Sequence, residues 1–226
     1  MKVNEIFYSL QGEGFLTGVP SVFIRLAGCP LRCKWCDTKY AWDYNSGKDY
    51  TVSEIIKEVQ KYNCEYIVIT GGEPMVTADL KCRKELPELA GSLKDLNKHI
   101  TIETAGLWYE PGLPCDLLGI SPKLSNSLPE GLFYHRPDAA VIRKLIDNYN
   151  YQLKFVVDCE TDIDEILQLV KATGNVDKKK VMLMPQAKNR DELMTKSQMV
   201  AQLCKQTGYT LCNRLHIQLW NNKKGV

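Results

Sequence analysis

The chain is predicted to be an α/β protein: an incomplete, TIM-like β/α barrel of about six parallel strands. Three observations predict it. Short β-branched runs alternate with amphipathic stretches along the whole length. About six such β/α units fit in 226 residues, fewer than the eight of a closed barrel. Polar clusters fall just past the C-terminal ends of the apolar runs, the edge at which parallel β/α folds bind ligands. No linker, repeat or low-complexity tract interrupts the pattern, so residues 1–226 read as a single domain.

The elements follow in order. Glu5 to Gly14 is a short apolar run ending in two glycines, a tight turn or a close backbone approach to a ligand. Val22 to Ala27 is a buried strand carrying one charge, Arg25. A charge inside an apolar strand needs a partner, either an ion pair or an anionic ligand held bidentately. Asp43 to Asp49 is polar and turn-like. Thr51-Val52-Ser53-Glu54 is a capping box opening a helix with Ile55, Ile56 and Val59 on one face. Tyr66 to Thr70 is a strand ending in Gly71-Gly72-Glu73-Pro74. Leu86 to Leu96 is helical, with Pro87 tolerated in the first turn. His99 to Thr104 and Asp116 to Ile120 are strands, the second ending in Ser121-Pro122-Lys123. Leu124 to Pro137 is a long proline-containing loop, and a helix covers about Asp138 to Asp147. Gln152 to Val157 is a strand. Thr161 opens a helix with Ile163, Ile166, Leu167 and Val170 inward. Val181 to Pro185 is the next strand, and a helix runs from Asp191 to a glycine cap near Gly208. The tail from Leu211 to Trp220 is mixed, with His216 expected on a strand.

Composition excludes several classes. Hydrophobic residues make up 44% and charged residues 25%, with a net charge of +2. That balance argues against a strong nucleic-acid or membrane field. No apolar run approaches the roughly 20 residues of a membrane span, and the N-terminus does not read as a signal peptide. Nine cysteines without a signal point to the cytoplasm, where thiols stay reduced.

Cys29, Cys33 and Cys36 stand in one short loop, spaced CxxxCxxC. Three thiolates from one loop can hold three irons of a four-iron cluster and leave the fourth iron open to a small molecule, whereas electron-carrying clusters usually have four cysteines. The other readings are zinc or a disulfide; zinc sites usually pair such a spacing with a second, distant pair, which is lacking. The six remaining cysteines are scattered and read mainly as core residues.

CxxxCxxC with Trp35 before the last cysteine, followed by Gly71-Gly72-Glu73-Pro74, resembles the radical S-adenosylmethionine (SAM) enzymes. Leu10-Gln11-Gly12-Glu13-Gly14, Arg25-Leu26-Ala27-Gly28-Cys29, Cys36-Asp37-Thr38, Glu103-Thr104-Ala105-Gly106, Ser121-Pro122-Lys123 and Leu219-Trp220-Asn221 are similar to the 7-carboxy-7-deazaguanine synthase family, over essentially the whole chain. Ala105 departs from the pattern, standing where a more polar residue is usual. The resemblance implies a radical SAM core and a [4Fe–4S] cluster on Cys29, Cys33 and Cys36, with SAM at the open iron. It implies a lyase that converts 6-carboxy-5,6,7,8-tetrahydropterin to 7-carboxy-7-deazaguanine with loss of ammonia, on the way to queuosine and other 7-deazapurines.

The resemblance also assigns residues. Asp37, Gly72, Glu73, Glu103, Ser121, Pro122 and Lys123 would meet SAM, with Trp35 and Met184, Pro185 and Gln186 flanking the adenine. Trp35 is equally read as packing against the cysteine loop, and Glu103 as a structural partner of Lys123. Leu10, Gln11, Gly12, Glu13, Arg25, Thr70, His216 and the carboxylate of Val226 would meet the pterin. His216 is equally read as a core histidine. Thr38 would offer a hydroxyl to Mg²⁺, or else cap the loop. A flavodoxin- or ferredoxin-type electron donor and a homodimer are implied, with no direct nucleic-acid partner. The rival functions are a radical SAM activase that forms a glycyl radical on a partner protein, and a non-enzymatic iron–sulfur or zinc module.

Overall fold

The computed structural model describes residues 1–129, 136–221 and 223. Its strands are β1 (Lys2–Leu10), β2 (Pro20–Leu26), β3 (Lys48–Asp49), β4 (Tyr66–Gly71), β5 (His99–Thr104), β6 (Leu117–Ile120), β7 (Tyr151–Val157), β8 (Val181–Pro185) and β9 (Thr210–Leu211). Its α-helices are α1 (Val52–Val59), α2 (Glu85–Asp95), α3 (Ala139–Asn148), α4 (Asp162–Thr173), α5 (Arg190–Thr207) and α6 (Leu215–Trp220). All nine strands join one sheet in the order β3-β1-β2-β4-β5-β6-β7-β8-β9. The sheet ends in two edges and does not close, as an incomplete barrel requires.

From β2 to β9 every pairing is parallel. The six longer parallel strands, β2 and β4 to β8, are those expected from the sequence. Two features break the expected alternation. β1 runs antiparallel to β2, because the turn from Leu10 to Pro20 is too short for a parallel crossover of a dozen or more residues, and the short β3 pairs antiparallel on its other edge. Between β5 and β6 the connection contains no helix; Tyr149 braces it by accepting from the Leu113 amide at 3.0 Å and donating to the Glu110 carbonyl.

The strand period of two divides each parallel strand between a core face and a concave face. Val22, Ile24 and Leu26 of β2, Ile67 and Ile69 of β4, Ile100 and Ile102 of β5, and Leu153, Phe155 and Val157 of β7 join the main core. The alternate residues, Phe23, Arg25, Val68, Thr70, Glu103, Lys154 and Val156, line a cleft on the other face. The core-facing set is wholly apolar and mostly β-branched, as strands covered by helices require.

Local chemistry sets the helix ends. Thr51 accepts from the Glu54 amide at 3.2 Å while Glu54 accepts from the Thr51 amide at 2.8 Å, completing the capping box. Asp138 caps α3 through the Ala140 amide at 2.8 Å, and Asn189 caps α5 through the Glu192 amide at 2.9 Å. Gly208 ends α5 at φ +76°, in the left-handed region that favours glycine. The tail differs from expectation: Leu215–Trp220 is a helix, so His216 sits on α6 and not on a strand. Residues 130–135 of the long loop lie outside the described residues.

Phe155 is fully buried among the helix-facing residues. Phe155→Ala is expected to cost about 3–5 kcal/mol, and Thr51→Ala, which removes the capping hydroxyl, about 1 kcal/mol. Urea unfolding of the two variants under one buffer condition checks both the size and the order of these losses.

Candidate active site

The cysteine loop leaves the end of β2 and lies against the end of β4. Gly28 makes the turn at φ +92°, and a Cβ there would fall 2.1 Å from the Tyr44 ring. A Cβ on Gly72 would stand 2.4 Å from the Gly28 carbonyl and 2.7 Å from Cys29 Cβ. The glycine pair after β4 therefore serves close backbone packing. The Glu73 amide donates to the Gly28 carbonyl at 2.9 Å and closes this contact. Beneath it lies Arg83, which sequence reasoning did not single out. Its Nη2 donates to the Ala27 carbonyl at 2.6 Å, the Glu73 carbonyl at 3.3 Å and the Gly28 carbonyl at 3.4 Å.

Cys29, Cys33 and Cys36 all line the cleft, and none of the other six cysteines does. Cys29 is pushed up to about 12 by burial, by Glu73 and by the two neighbouring thiols. Burial also raises Cys33 and Cys36. Thiols crowded in this way deprotonate when iron supplies the compensating positive charge, so the donor set fits a cluster. Among the described residues no three His, Cys, Asp or Glu side chains gather closely enough to hold a single metal ion. Trp42, not Trp35, packs against the buried loop residues together with Ala105 and Leu107. The small apolar Ala105 thus fills space beside Cys29 and Cys33.

Glu73 is buried, with its carboxylate turned to the protein. It accepts from Thr104 Oγ1 at 2.7 Å, the Ala105 amide at 2.6 Å and the Met75 amide at 3.1 Å. Burial nevertheless keeps its carboxyl above the usual range, against the pull of these donors. Its side chain ties the loop after β4 to the end of β5.

Ser121 and Lys123 follow β6, with Lys123 Nζ donating to Ser121 Oγ at 2.7 Å and to its carbonyl at 2.6 Å. Among the described residues Lys123 contacts no carboxylate, and it faces the cleft. Met184, Pro185 and Gln186 line the adjoining wall, with Gln186 held by Lys196 at 2.9 Å. Trp35 faces the same side.

A run of charges crosses the other half. Lys154 on β7 meets Glu103 of β5 at 2.8 Å and Glu13 at 3.3 Å. Arg214, just before α6, meets Glu13 at 3.1 Å and Asp37 at 3.1 Å. Thr38 Oγ1 donates to Asp37 Oδ1 at 2.7 Å, which leaves the lone pairs of that hydroxyl free for a cation. Thr38 makes no capping bond to the turn that follows it. Burial alone would raise the Glu13 carboxyl; Lys154, Arg214 and His216 outweigh it and hold Glu13 well below the usual range. Burial lowers His216, which lies against Gly12, where a Cβ would strike its Nδ1 at 2.1 Å.

Of the pairings read from the sequence, that of Glu103 changes, while Arg25 has the ion pair offered as one of its two readings. Glu103 pairs with Lys154, not Lys123, because both project from the concave faces of their strands. Arg25 makes its ion pair with Glu5 at 2.5 Å, across the antiparallel β1–β2 register, and its guanidinium stands 5.8 Å from the Phe7 ring centre. The Phe7 and Phe23 rings stack at 5.0 Å beside it.

The cleft has a volume of about 370 Å³. It gathers Leu10, Gln11, Gly12, Glu13, Arg25, the three cysteines, Trp35, Asp37, Thr38, Thr70, Gly72, Glu73, Glu103, Ser121, Lys123, Met184, Pro185, Gln186 and His216. Pro122 is buried away from it, and Val226 lies outside the described residues. Lys154 and Glu5 went unnoticed in the sequence. The signal for Lys154 was the one that singled out Arg25, a lone charge inside an apolar strand.

Glu13 yields a pH prediction. Its folded pKa lies below its unfolded value, so its contribution to stability is full above about pH 4.5 and is lost as pH falls. Glu13→Gln is expected to lower stability at neutral pH and to flatten the loss between pH 5 and 3, measured as urea midpoints across that range.

Residues 23–120 match the Radical SAM superfamily. A 7-carboxy-7-deazaguanine synthase of Halobacterium salinarum is 38% identical over 98% of this chain and 91% of its own length. One of Pyrobaculum aerophilum is 37% identical over 100% of this chain and 97% of its own. The crystal structure of QueE from Escherichia coli superposes with a TM-score of 0.72 at 26% identity, covering 95% of this chain and 94% of that one. With the cysteine loop, the glycine contact and the strand-end residues on one cleft, the chain belongs to the 7-carboxy-7-deazaguanine synthase family of radical SAM enzymes.

Proposed function

We propose that this chain is a radical SAM lyase that converts 6-carboxy-5,6,7,8-tetrahydropterin to 7-carboxy-7-deazaguanine with loss of ammonia, feeding queuosine and related 7-deazapurines. The observation that carries the reading is the composition of one cleft. Three cysteines without a fourth face a lysine that touches no carboxylate among the described residues, and an acidic pair lies beyond them. Cys29, Cys33 and Cys36 hold the cluster and leave one iron open. When bound, the reduced cluster and SAM supply the one-electron chemistry that starts the reaction.

The chain's own residues bind and orient. Lys123 meets the SAM carboxylate and Ser121 its ribose. The backbone after β4 offers carbonyl acceptors to the SAM amino group, a role that suits Gly72 better than Glu73, whose carboxylate is occupied. Trp35, Met184 and Gln186 enclose the adenine. Gln11, Glu13 and His216 read the polar edges of the pterin, and Arg25, steadied by Glu5, takes its carboxylate. Thr38 would offer its hydroxyl oxygen to a Mg²⁺, which would help to hold the substrate carboxylate.

The activase alternative needs an open groove for a peptide. Here α6 closes one wall: the Leu215 amide donates to the Gly12 carbonyl at 2.8 Å, and Arg214 spans Glu13 and Asp37. That favours a small substrate. No helix among the described residues is long and apolar enough to cross a membrane. A cytoplasmic location, a homodimer and a flavodoxin- or ferredoxin-type reductant complete the proposal, carried over from the family resemblance.

Anaerobic incubation of reconstituted, reduced protein with the carboxy-tetrahydropterin and SAM is expected to give the deazaguanine chromophore, faster with Mg²⁺ than without. SAM cleavage with no deazaguanine would refute the substrate assignment. Cys33→Ala is expected to lose the cluster absorbance and all turnover while keeping its far-ultraviolet circular dichroism, since the loop sits on the rim of the sheet. Global unfolding of that variant would assign the loop a structural role.

A further inference from the structure

We propose that Lys154 is a positioning residue: one buried ammonium that fixes the Glu13 and Glu103 carboxylates so that each accepts hydrogen bonds from a different ligand. The inference rests on the functional reading above and deepens it.

Lys154 projects from the concave face of β7, between the core-facing Leu153 and Phe155, and its side chain is only 3% exposed. Burying an ammonium is costly unless it is paired, and an apolar side chain of similar length would satisfy the fold alone. The structure instead makes room for the charge. Gly119 on β6 has no Cβ where one would stand 2.4 Å from Glu103 Oε2. Glu103 then reaches Lys154 at 2.8 Å from one side, and Glu13 reaches it at 3.3 Å from the other.

Two of the three N–H donors of the ammonium go to these carboxylates, whose joint charge exceeds its own, so it is not an anion site. The carboxylates, by contrast, keep capacity. Each has about four acceptor positions. Glu103 uses one on Lys154 and has only a long contact to Gln11, at 3.5 Å; Glu13 uses one on Lys154 and one on Arg214. Both line the cleft, with side chains 17% and 20% exposed. Their free lone pairs therefore suit the N–H donors of a guanidine-like heterocycle edge and the hydroxyls of a ribose.

Position along the cleft separates the two. The Glu103 carboxylate lies over Gly119 of β6, the strand that leads two residues later to Ser121 and then to Lys123. Glu13 is tied through Arg214 to Asp37, beside the last cysteine. One cation thus sets the distance between an acceptor for SAM and an acceptor for the pterin. That distance governs whether the two ligands lie in reacting register, where small misplacements lower rates steeply.

The test compares wild type with Lys154→Met and Lys154→Arg as reconstituted holoenzymes. The readouts are pterin KM and kcat separately, the SAM dissociation constant, and SAM cleaved per deazaguanine formed. Lys154→Met is expected to raise pterin KM by about tenfold to a hundredfold and to raise SAM cleaved per product, with Lys154→Arg recovering part of both. Wild-type values of KM, SAM affinity and coupling in a folded Lys154→Met protein would overturn the proposal. So would a loss of turnover that tracks only the folded fraction. If Lys154→Met does not fold, Lys154→Arg carries the same test, because it keeps the charge but alters the reach; unchanged coupling there overturns the proposal. A wild-type protein that cleaves SAM but leaves the pterin intact refutes the functional reading instead. The SAM affinities of the variants then decide the Glu103 half on their own: weaker binding in Lys154→Met supports it, and equal binding overturns it.

Discussion

One buried guanidinium underlies the arrangement of the cleft. Arg83 gathers the carbonyls of Ala27, Gly28 and Glu73, and so joins the start of the cysteine loop to the loop after β4. Carbonyls turned inward at two strand ends repel one another, and the cationic Nη2 group of Arg83, shared among all three, resolves that repulsion. The close contact of Gly72 with Gly28 and Cys29 depends on it, and so does the placement of Glu73, whose carboxylate reaches across to β5. The thiols thereby stand on a platform continuous with the sheet, not on a free loop.

The same sheet supplies the rest of the cleft by alternation. One face of each parallel strand is given to apolar packing, which leaves the other to carry unlike residues at fixed spacing: Phe23 and Arg25, Val68 and Thr70, Lys154 and Val156. Charges on that face would be expensive alone. They are tolerated because neighbouring strands place opposite charges in reach: Arg25 with Glu5 across β1 and β2, and Lys154 with Glu103 across β6 through the gap left by Gly119. The polar half of the cleft is therefore a property of strand order as much as of any single motif.

That distinction explains what the sequence made legible. The strands, the capping box at Thr51, the cysteine spacing and the strand-end clusters are local patterns, and each is found where its pattern places it. The antiparallel β1 was obscured because pairing direction depends on the length of a turn, not on the composition of the strand. The partners of Glu103 and Glu13 could not be read because they come from elements far apart in the chain, and that of Arg25, 20 residues away, because it depends on the register of β1 against β2. Glu13 and Arg214 are 201 residues apart. Arg83 carried no signal at all: it stands in an irregular segment, and its importance lies in the carbonyls around it, which every residue possesses. The tail helix was missed because six residues are too few for a clear helical period.

The wall built by residues 214–216 has a consequence for the order in which the cleft comes together. The cysteine loop rests on residues from the first half of the chain, whereas the segment that closes the opposite side of the cleft pairs with a turn 201 residues before it. Gly12 waits for Leu215 and His216, and Glu13 waits for Arg214. Contacts between segments so distant in sequence carry a loop-closure cost that local contacts do not, which places this wall late in the order of folding. The same cost makes the wall the part of the cleft most readily released by local unfolding, while the thiols stay on their platform.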